Sequence, residues 1–305
     1  MKFAVLGAGA VGGYFGARLA EAGEDVTFIA RGAHLEAIRN SGLRIDSENG
    51  NAHIYPARAT DDLAEVGPVD YVLFAVKLFQ TEEVAALAKP LVGPNTTLVA
   101  LQNGVECASV LSVVHGREKI LNGTSYIAAV ITDPGLIRQT GTFASFAFGE
   151  QDGTMSERGQ KLKDAGDKAG LFPTYSSDVE TLVWMKFLLI ATMSSITTTT
   201  RKPIGDLRDD PDIKPVILSS LKESIAVGRA MGVDLPEDAL DQQLKRIAEF
   251  PAAMVASMYH DLHANKPTEL EWMSGAVRRF GKQCGIPTPT HDAFYAILKP
   301  YRDGV

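Results

Sequence analysis

The sequence predicts a doubly wound α/β domain followed by an all-α domain. Two observations carry that expectation. Short β-rich runs alternate with helical runs over the first half of the chain, and strand signals stop after about residue 177, where long helical patterns take over. Size agrees: 305 residues, 45% hydrophobic and 22% charged, suffice for two ordinary globular domains, placed here at 1–177 and 178–305.

Residues 2–6 and 25–30 read as strands around a helix at 11–22. Residues 43–46 and 52–56 flank SENGN, a turn signal, and read as an inserted hairpin. Residues 71–76 and 97–101 are further buried strands, separated by an amphipathic helix from Thr81. Repeated βαβ units of this kind wind into a parallel sheet. Residues 123–132, 137–140 and 145–149 then read as antiparallel edge strands. Helices are expected at 179–200, 214–230, 236–264, 269–283 and 291–299, punctuated by Pro and Gly around Pro203, Gly232, Pro267 and Gly285.

Composition excludes several classes. The net charge is −7 and no basic block occurs, which argues against nucleic acid and anionic membrane as partners. Cys107 and Cys284 stand far apart without a CxxC, so no disulfide framework is expected and a reducing cytoplasm fits. The opening MKFAVLGAGAVGG reads as a strand and turn rather than a signal peptide. The apolar stretch 182–193 contains a lysine and is too short to span a membrane. His260 and His263 flank Asp261 but no second ligand cluster accompanies them, so no metal site is read.

Gly7, Ala8, Gly9, Ala10, Val11 and Gly12 form a GxGxxG directly after a strand and directly before a helix, the context that makes a dinucleotide-binding, Rossmann-like motif credible. Gly7 allows the tight turn, Gly9 a close approach of backbone to pyrophosphate, and Gly12 close helix–strand packing. The helix N-terminus then faces the anion. The next strand ends in Ile29-Ala30-Arg31, where an NAD binder usually carries an acid for the ribose hydroxyls. A guanidinium favours a 2′-phosphate through bidentate, charge-assisted bonds, so NADPH is the expected cofactor, with an incidental surface arginine as the alternative. Lys77 sits past the next strand and reads either as a second phosphate contact or as a solvated lysine. Asn103-Gly104 is a turn former, and also stands where ligands bind at the carboxyl edge of an open sheet.

Lys186 is the only charge in TLVWMKFLLIATMSSITTTT. A helix apolar on nearly every face is buried, and a buried ammonium is costly, with a pKa drawn toward the range where it exchanges its proton. Chemistry and a lysine snorkelling at the helix edge are both open on this stretch alone.

Taken in order, GAGAVG, Arg31, VKLFQ, LQNG, WMK and PTELE resemble the ketopantoate reductase (2-dehydropantoate 2-reductase) family over essentially the whole chain, through the C-terminal GIPTPTHDAFYAILKPY. The resemblance implies NADPH-dependent reduction of a 2-oxo acid to a 2-hydroxy acid, with 2-dehydropantoate to pantoate first among the substrates, in a cleft between a Rossmann-like domain and a helical domain. It implies Lys186 as general acid, residues 7–12 at the pyrophosphate, Arg31 and Lys77 on the 2′-phosphate side, and Asn103 between nicotinamide and substrate. It further implies Ala129, in Tyr126-Ile127-Ala128-Ala129, as a backbone contact to the cofactor, Ser257 as a substrate contact, and Glu269 as the site glutamate, anchoring a ribose or substrate hydroxyl. Glu269 has a second reading, since Thr268-Glu269-Leu270-Glu271 has capping-box spacing at a helix start. Ser257 on its own reads as a solvated or back-bonded serine.

The chain departs from the family where asparagines commonly follow the lysine by four and eight residues: here stand Ile190 and Ser194, and Ile204 replaces a further asparagine. Ile190 and Ser194 lie one and two turns beyond Lys186 and are expected to line the substrate site. Losing amides from a small hydroxy-acid site is expensive, which opens a bulkier or less polar 2-oxo acid, or another ketone, as substrate. The 3-hydroxyacid dehydrogenases also join such a domain to helices, but their glycine-rich substrate loop is absent from LQNGVEC. An NADP-binding sensor or scaffold without turnover is the non-enzymatic alternative. A homodimer is compatible with the sequence.

Overall fold

The structure, a computed structural model, describes residues 1–304. It divides into two compact units, one ending at Leu182 and the other beginning at Val183.

The N-terminal unit runs β1 (Lys2–Leu6), α1 (Ala10–Glu21), β2 (Asp25–Ile29), α2 (Gly32–Ser41), β3 (Leu43–Ser47), β4 (Ala52–Ile54), β5 (Arg58–Thr60), β6 (Tyr71–Phe74), α3 (Thr81–Leu87), β7 (Thr97–Ala100), α4 (Cys107–His115), β8 (Ile120–Asp133), β9 (Leu136–Glu150), α5 (Glu157–Lys168) and β10 (Thr174–Tyr175). All strands join one sheet in the order β4-β3-β9-β8-β7-β6-β1-β2-β5, with β10 beside β9. Strands β7, β6, β1, β2 and β5 are mutually parallel. Their period of two sorts side chains onto two cores: Phe3, Val5, Tyr71, Leu73 and Val99 on one face, Ala4, Leu6, Val72, Phe74, Leu98 and Ala100 on the other. Burial on both faces is why β1, β6 and β7 read as continuous apolar runs.

The segments expected as three edge strands at 123–132, 137–140 and 145–149 form one long antiparallel hairpin instead, and it lies inside the sheet. β8 pairs with β7 in parallel, β9 pairs with β3 in parallel, and the sheet edges fall to β4 and β5. The apparent break in β9 is a bulge. Ile127 pairs Ala144 and Ala129 pairs Gln139, so residues 140–143 stand opposite Ala128 alone, with Gly141 at φ +75°. The inserted hairpin of β3 and β4 is present, Leu43 opposite Ile54.

The second unit is all helical. α6 (Val179–Thr200) enters it and is followed by α7 (Lys214–Ala230), α8 (Ala239–Glu249), α9 (Ser257–His263), α10 (Ser274–Cys284) and α11 (Pro289–Leu298). Two expected helices are divided. The one at 236–264 stops at Phe250, held extended at φ −63° and ψ 141°, because Pro251 lacks an N–H and excludes the helical conformation from the residue before it. The one at 269–283 breaks at Met273 (φ −105°, ψ −103°) into a short 3₁₀ turn, Leu270–Trp272, and α10. α6 is apolar and long enough to cross a membrane by composition alone, but 83% of its most apolar window is buried within the protein, as in a core helix. Leu189, Met193 and Ile196 of α6 pack with Ile204, Ile217, Leu221, Ile247 and Phe294 to form the helical core.

Candidate active site

The glycine-rich loop follows β1, where the sheet reverses its winding between β1 and β6. Such a switch point opens a crevice at the carboxyl ends of the strands. The three motif glycines meet different surroundings. Gly7 has φ +93°, and a Cβ there would lie 2.8 Å from the Val76 side chain and backbone nitrogen. A Cβ on Gly12 would strike the Gly7 carbonyl oxygen and sit 3.0 Å from Ala75 and Val5. Gly9 has no neighbour within 4 Å of where its Cβ would be. Gly7 and Gly12 are therefore required by the fold, while Gly9 leaves bare backbone at the crevice. α1 begins at Ala10 with no side-chain cap and no acidic residue in its first turn. Its leading N–H groups are thus not taken by a capping side chain, and they suit a phosphate. Ala8 is buried, and Ala10 and Val11 are half-buried.

The neighbouring strands bring the other cofactor candidates to the same edge. Arg31, exposed, follows β2 and precedes α2; Lys77, half-buried, follows β6; Asn103, half-buried, follows β7. Gln102, absent from the sequence reading, fixes the last two relative to one another. Its amide donates to the Val76 carbonyl at 2.6 Å and to Thr81 Oγ1 at 3.0 Å, and Thr81 in turn donates to the Leu78 carbonyl. Gln102 adjoins Asn103 in LQNG, the only signal the sequence offered for it. β8 runs parallel to β7 and carries Ala129 past the bulge at Ala128. Ser125 Oγ donates to the Leu101 carbonyl at 2.9 Å, tying β8 to the end of β7.

In the helical unit Lys186 is only 7% exposed. Burial draws its pKa down from the usual lysine range to about 7, with the negative charge of Glu269 partly opposing the shift. The adjacent Met185 carbonyl accepts from Gln243 of α8 at 3.0 Å, and Trp184 and Phe187 flank the lysine with rings 5.5 Å apart. Glu269 is buried just before the turn Leu270–Trp272. The alternative capping role is not adopted. Only a 3₁₀ turn follows, no side-chain cap is made, and Glu271 instead accepts from Tyr295 and from Arg302.

Ser257 is exposed as the first residue of α9, not in mid-helix as the unbroken pattern suggested. The residue before it, Ala256, donates its N–H to Thr197 Oγ1 of α6 at 3.4 Å. Ile190 is half-buried and Ser194 buried on α6. Ile204 is fully buried in the apolar core beside Leu207 and Ile217, so its side chain serves packing here. Among the described residues no group of three His, Cys, Asp or Glu side chains could hold a metal ion.

A GxGxxG loop at the switch point of an open parallel sheet is the usual form of a dinucleotide-binding fold, and a helical unit follows it. The class so defined is the nicotinamide-dependent oxidoreductases with a helical second unit. Residues 3–153 match the family model for "Ketopantoate reductase PanE/ApbA", and residues 178–302 match that for its C-terminal portion. The chain belongs to the ketopantoate reductase family of 2-oxo acid reductases.

A 2-dehydropantoate 2-reductase of Mesorhizobium japonicum is 31% identical over 98% of this chain and 97% of its own. A PanE/ApbA family ketopantoate reductase of Ralstonia eutropha, solved by crystallography, superposes with a TM-score of 0.91 at 31% identity, covering 99% of this chain and 98% of that one. D-mandelate dehydrogenase, solved with NADH and anilino(oxo)acetate, shares the fold at a TM-score of 0.91 and 22% identity, covering 99% of this chain and 98% of that one.

Proposed function

We propose that this protein reduces 2-dehydropantoate to pantoate with NADPH, using Lys186 as the general acid. The observation that carries the reading is the lysine itself, buried on α6 with a pKa drawn to about 7. At that value the ammonium is present at neutral pH yet gives up its proton readily, as general acid catalysis requires. A bound NADPH supplies the hydride to the ketone carbon. Lys186 Nζ delivers a proton to the oxygen as negative charge develops there, and the amine regains its proton from solvent. Glu269 keeps enough proton affinity on Lys186 for the charged form to exist in an apolar interior. Asn103 and Ser257 orient the carbonyl and carboxylate.

The reading gives Gly7, Ala8, Gly9, Ala10, Val11 and Gly12 the pyrophosphate, Arg31 and Lys77 the 2′-phosphate, and Ala129 a backbone contact to the cofactor. The bare Gly9 and the uncapped start of α1 support the first assignment. D-mandelate dehydrogenase carries NADH on the same fold. The preference for NADPH therefore rests on Arg31 and on the missing acid beside it. The proposed division of labour is 1–177 and 178–305: the C-terminal family match begins at residue 178, just before α6, the helix whose residues pass from the first compact unit to the second at Val183. Free thiols at Cys107 and Cys284 fit a cytoplasmic enzyme.

A second reading takes a bulkier, less polar 2-oxo acid as the substrate. Ile190 favours it, because an alkyl group stands one turn from Lys186 where the family commonly offers an amide. NADPH oxidation against a panel of 2-oxo acids, from 2-dehydropantoate to aryl and branched-chain members, tests both. The highest kcat/KM on 2-dehydropantoate supports the first reading and on a bulky apolar acid the second. No turnover with any 2-oxo acid overturns both.

A further inference from the structure

His34 lies on α2, three residues after Arg31, and joins two segments distant in sequence. Its Nε2 is 3.0 Å from the Ala8 carbonyl oxygen in the glycine-rich loop, and its Nδ1 is 3.0 Å from the Gly135 nitrogen in the β8–β9 turn. A backbone N–H can only donate and a carbonyl can only accept. Nδ1 is therefore the bare acceptor and Nε2 carries the proton: one neutral tautomer satisfies both contacts. Burial lowers the pKa of the ring, which agrees with the neutral form.

The two contacts hold the parts on which the cofactor reading depends. Ala8 N–H donates to the Ile29 carbonyl at 2.9 Å, so with His34 on its carbonyl this residue is held at both polar groups. The peptide joining Ala8 to Gly9 is planar and trans, and its N–H points opposite to its C=O. Fixing the Ala8 carbonyl on His34 turns the Gly9 N–H away from the imidazole, at the residue whose Cα side is bare. On the other side the Gly135 carbonyl accepts from Arg44 of β3, and Ile137 of β9 reaches within 2.5 Å of where a Cβ on Gly13 would stand. The β8–β9 turn is thereby seated against α1, α2 and β3.

We propose that His34 is a positioning residue for dinucleotide binding, setting the peptide plane that offers the Gly9 N–H to the pyrophosphate. The proposal rests on the reading that residues 7–12 hold the cofactor. It differs in signature from the role given to Arg31: a loop that cradles pyrophosphate serves NADPH and NADH alike, whereas a 2′-phosphate contact serves NADPH alone.

The test is fluorescence titration of the full-length protein with NADPH and with NADH, alongside steady-state kinetics, for wild type, His34→Ala, His34→Gln and Arg31→Ala. His34→Ala is expected to weaken both nucleotides by the same factor, about tenfold for the loss of one to two neutral hydrogen bonds, with kcat at saturating cofactor within about twofold of wild type. His34→Gln, which restores a donor toward Ala8, is expected to recover most of the loss. Unchanged affinity in a folded His34→Ala overturns the proposal, as does a loss confined to NADPH or a fall in kcat alone. If His34→Ala does not fold, His34→Gln decides: affinity near wild type supports the proposal, and a folded glutamine variant that binds as poorly as a loop mutant such as Gly9→Val overturns it. A wild-type protein that binds neither nucleotide overturns the underlying reading of the loop and the proposal with it.

Discussion

Glu269 holds the proton on Lys186 against the pull of burial. The two side chains are buried in the helical unit, 6% and 7% exposed, and on the lysine burial and the Glu269 charge act with opposite signs. With Lys186 as the proton donor proposed above, kcat/KM for the 2-oxo acid should fall as pH rises through about 7, and oxidation of the 2-hydroxy acid should rise over the same range. Glu269→Gln removes the opposing charge and leaves desolvation alone, so the midpoint of the reduction profile should move to lower pH. A pH–rate series on both proteins checks this; a midpoint that does not move breaks the electrostatic link.

Lys186→Ala should lose kcat by roughly 10²–10⁴-fold, the usual worth of a general acid, while the affinity for NADPH stays close to wild type. Single-turnover kinetics and a binding titration separate the two. Near-normal turnover would return Lys186 to a structural role at the helix.

Arg31→Ala should raise the KM for NADPH and leave that for NADH nearly unchanged, because only one of the two carries a 2′-phosphate for the guanidinium. Equal losses with both cofactors would remove Arg31 from the phosphate site.

Ile190→Asn combined with Ser194→Asn should raise kcat/KM for 2-dehydropantoate and lower it for bulkier apolar 2-oxo acids. Both positions lie on α6 beyond Lys186, half-buried and buried respectively, so new amides there meet little competing water. Ile204 is left out of the pair because it belongs to the packed core, where an amide would be stranded. The two effects are expected to be non-additive. Efficient turnover of 2-dehydropantoate by the unmodified protein, unimproved by the amides, would sink the idea.

His291 anchors a buried polar network. Nε2 meets Ser220 and Ser224 of α7 at 3.1 and 2.9 Å, and Nδ1 meets Ser274 of α10 at 3.2 Å. Burial lowers its pKa from 6.5, outweighing the attraction of Glu223 and Asp292. Below that value the unfolded chain binds a proton that the folded ring resists, so stability is full above about pH 6.5 and declines as pH falls. His291→Gln should lower the melting temperature near neutrality by disturbing the network and make its fall between about pH 7 and 5 shallower. His34 and His115 shift in the same direction, so the slope should shrink without vanishing. Parallel melting curves for the two proteins would refute this role.

The parts of this molecule that were legible in the sequence are those dictated locally. β1 falls at Lys2–Leu6 as its apolar run requires, and α6 runs Val179–Thr200 as its pattern requires. Lys186 stood out because a lone charge in an apolar helix has few explanations. What escaped depends on partners distant in the chain. Nothing near β9 announces that β3 will lie beside it, so the hairpin was expected at an edge. His34 and Gln102 act chiefly on backbone groups of distant residues, which leave no mark on residue identity. The long helix through Phe250 was carried by its amphipathic period, and Pro251 overrode the period. Ile204 was conspicuous as a missing asparagine, yet its place in the core became visible only once Leu207, Ile217 and Leu221 were seen around it.

The pairing of β3 with β9 has a consequence for how the N-terminal unit comes into being. Arg44 meets Leu136 and Ser47 meets Gln139, and on its other side β3 has only the three-residue β4. A two-stranded ribbon of that size is marginal in water. During synthesis β3 and β4 must therefore wait, exposed, until some ninety further residues (order of magnitude) have left the ribosome, and closing so long a loop slows folding. A fragment ending before β9 would carry both this orphaned ribbon and the bare edge of β8, an invitation to aggregate. Any division of the protein into expressible pieces has to fall after β9.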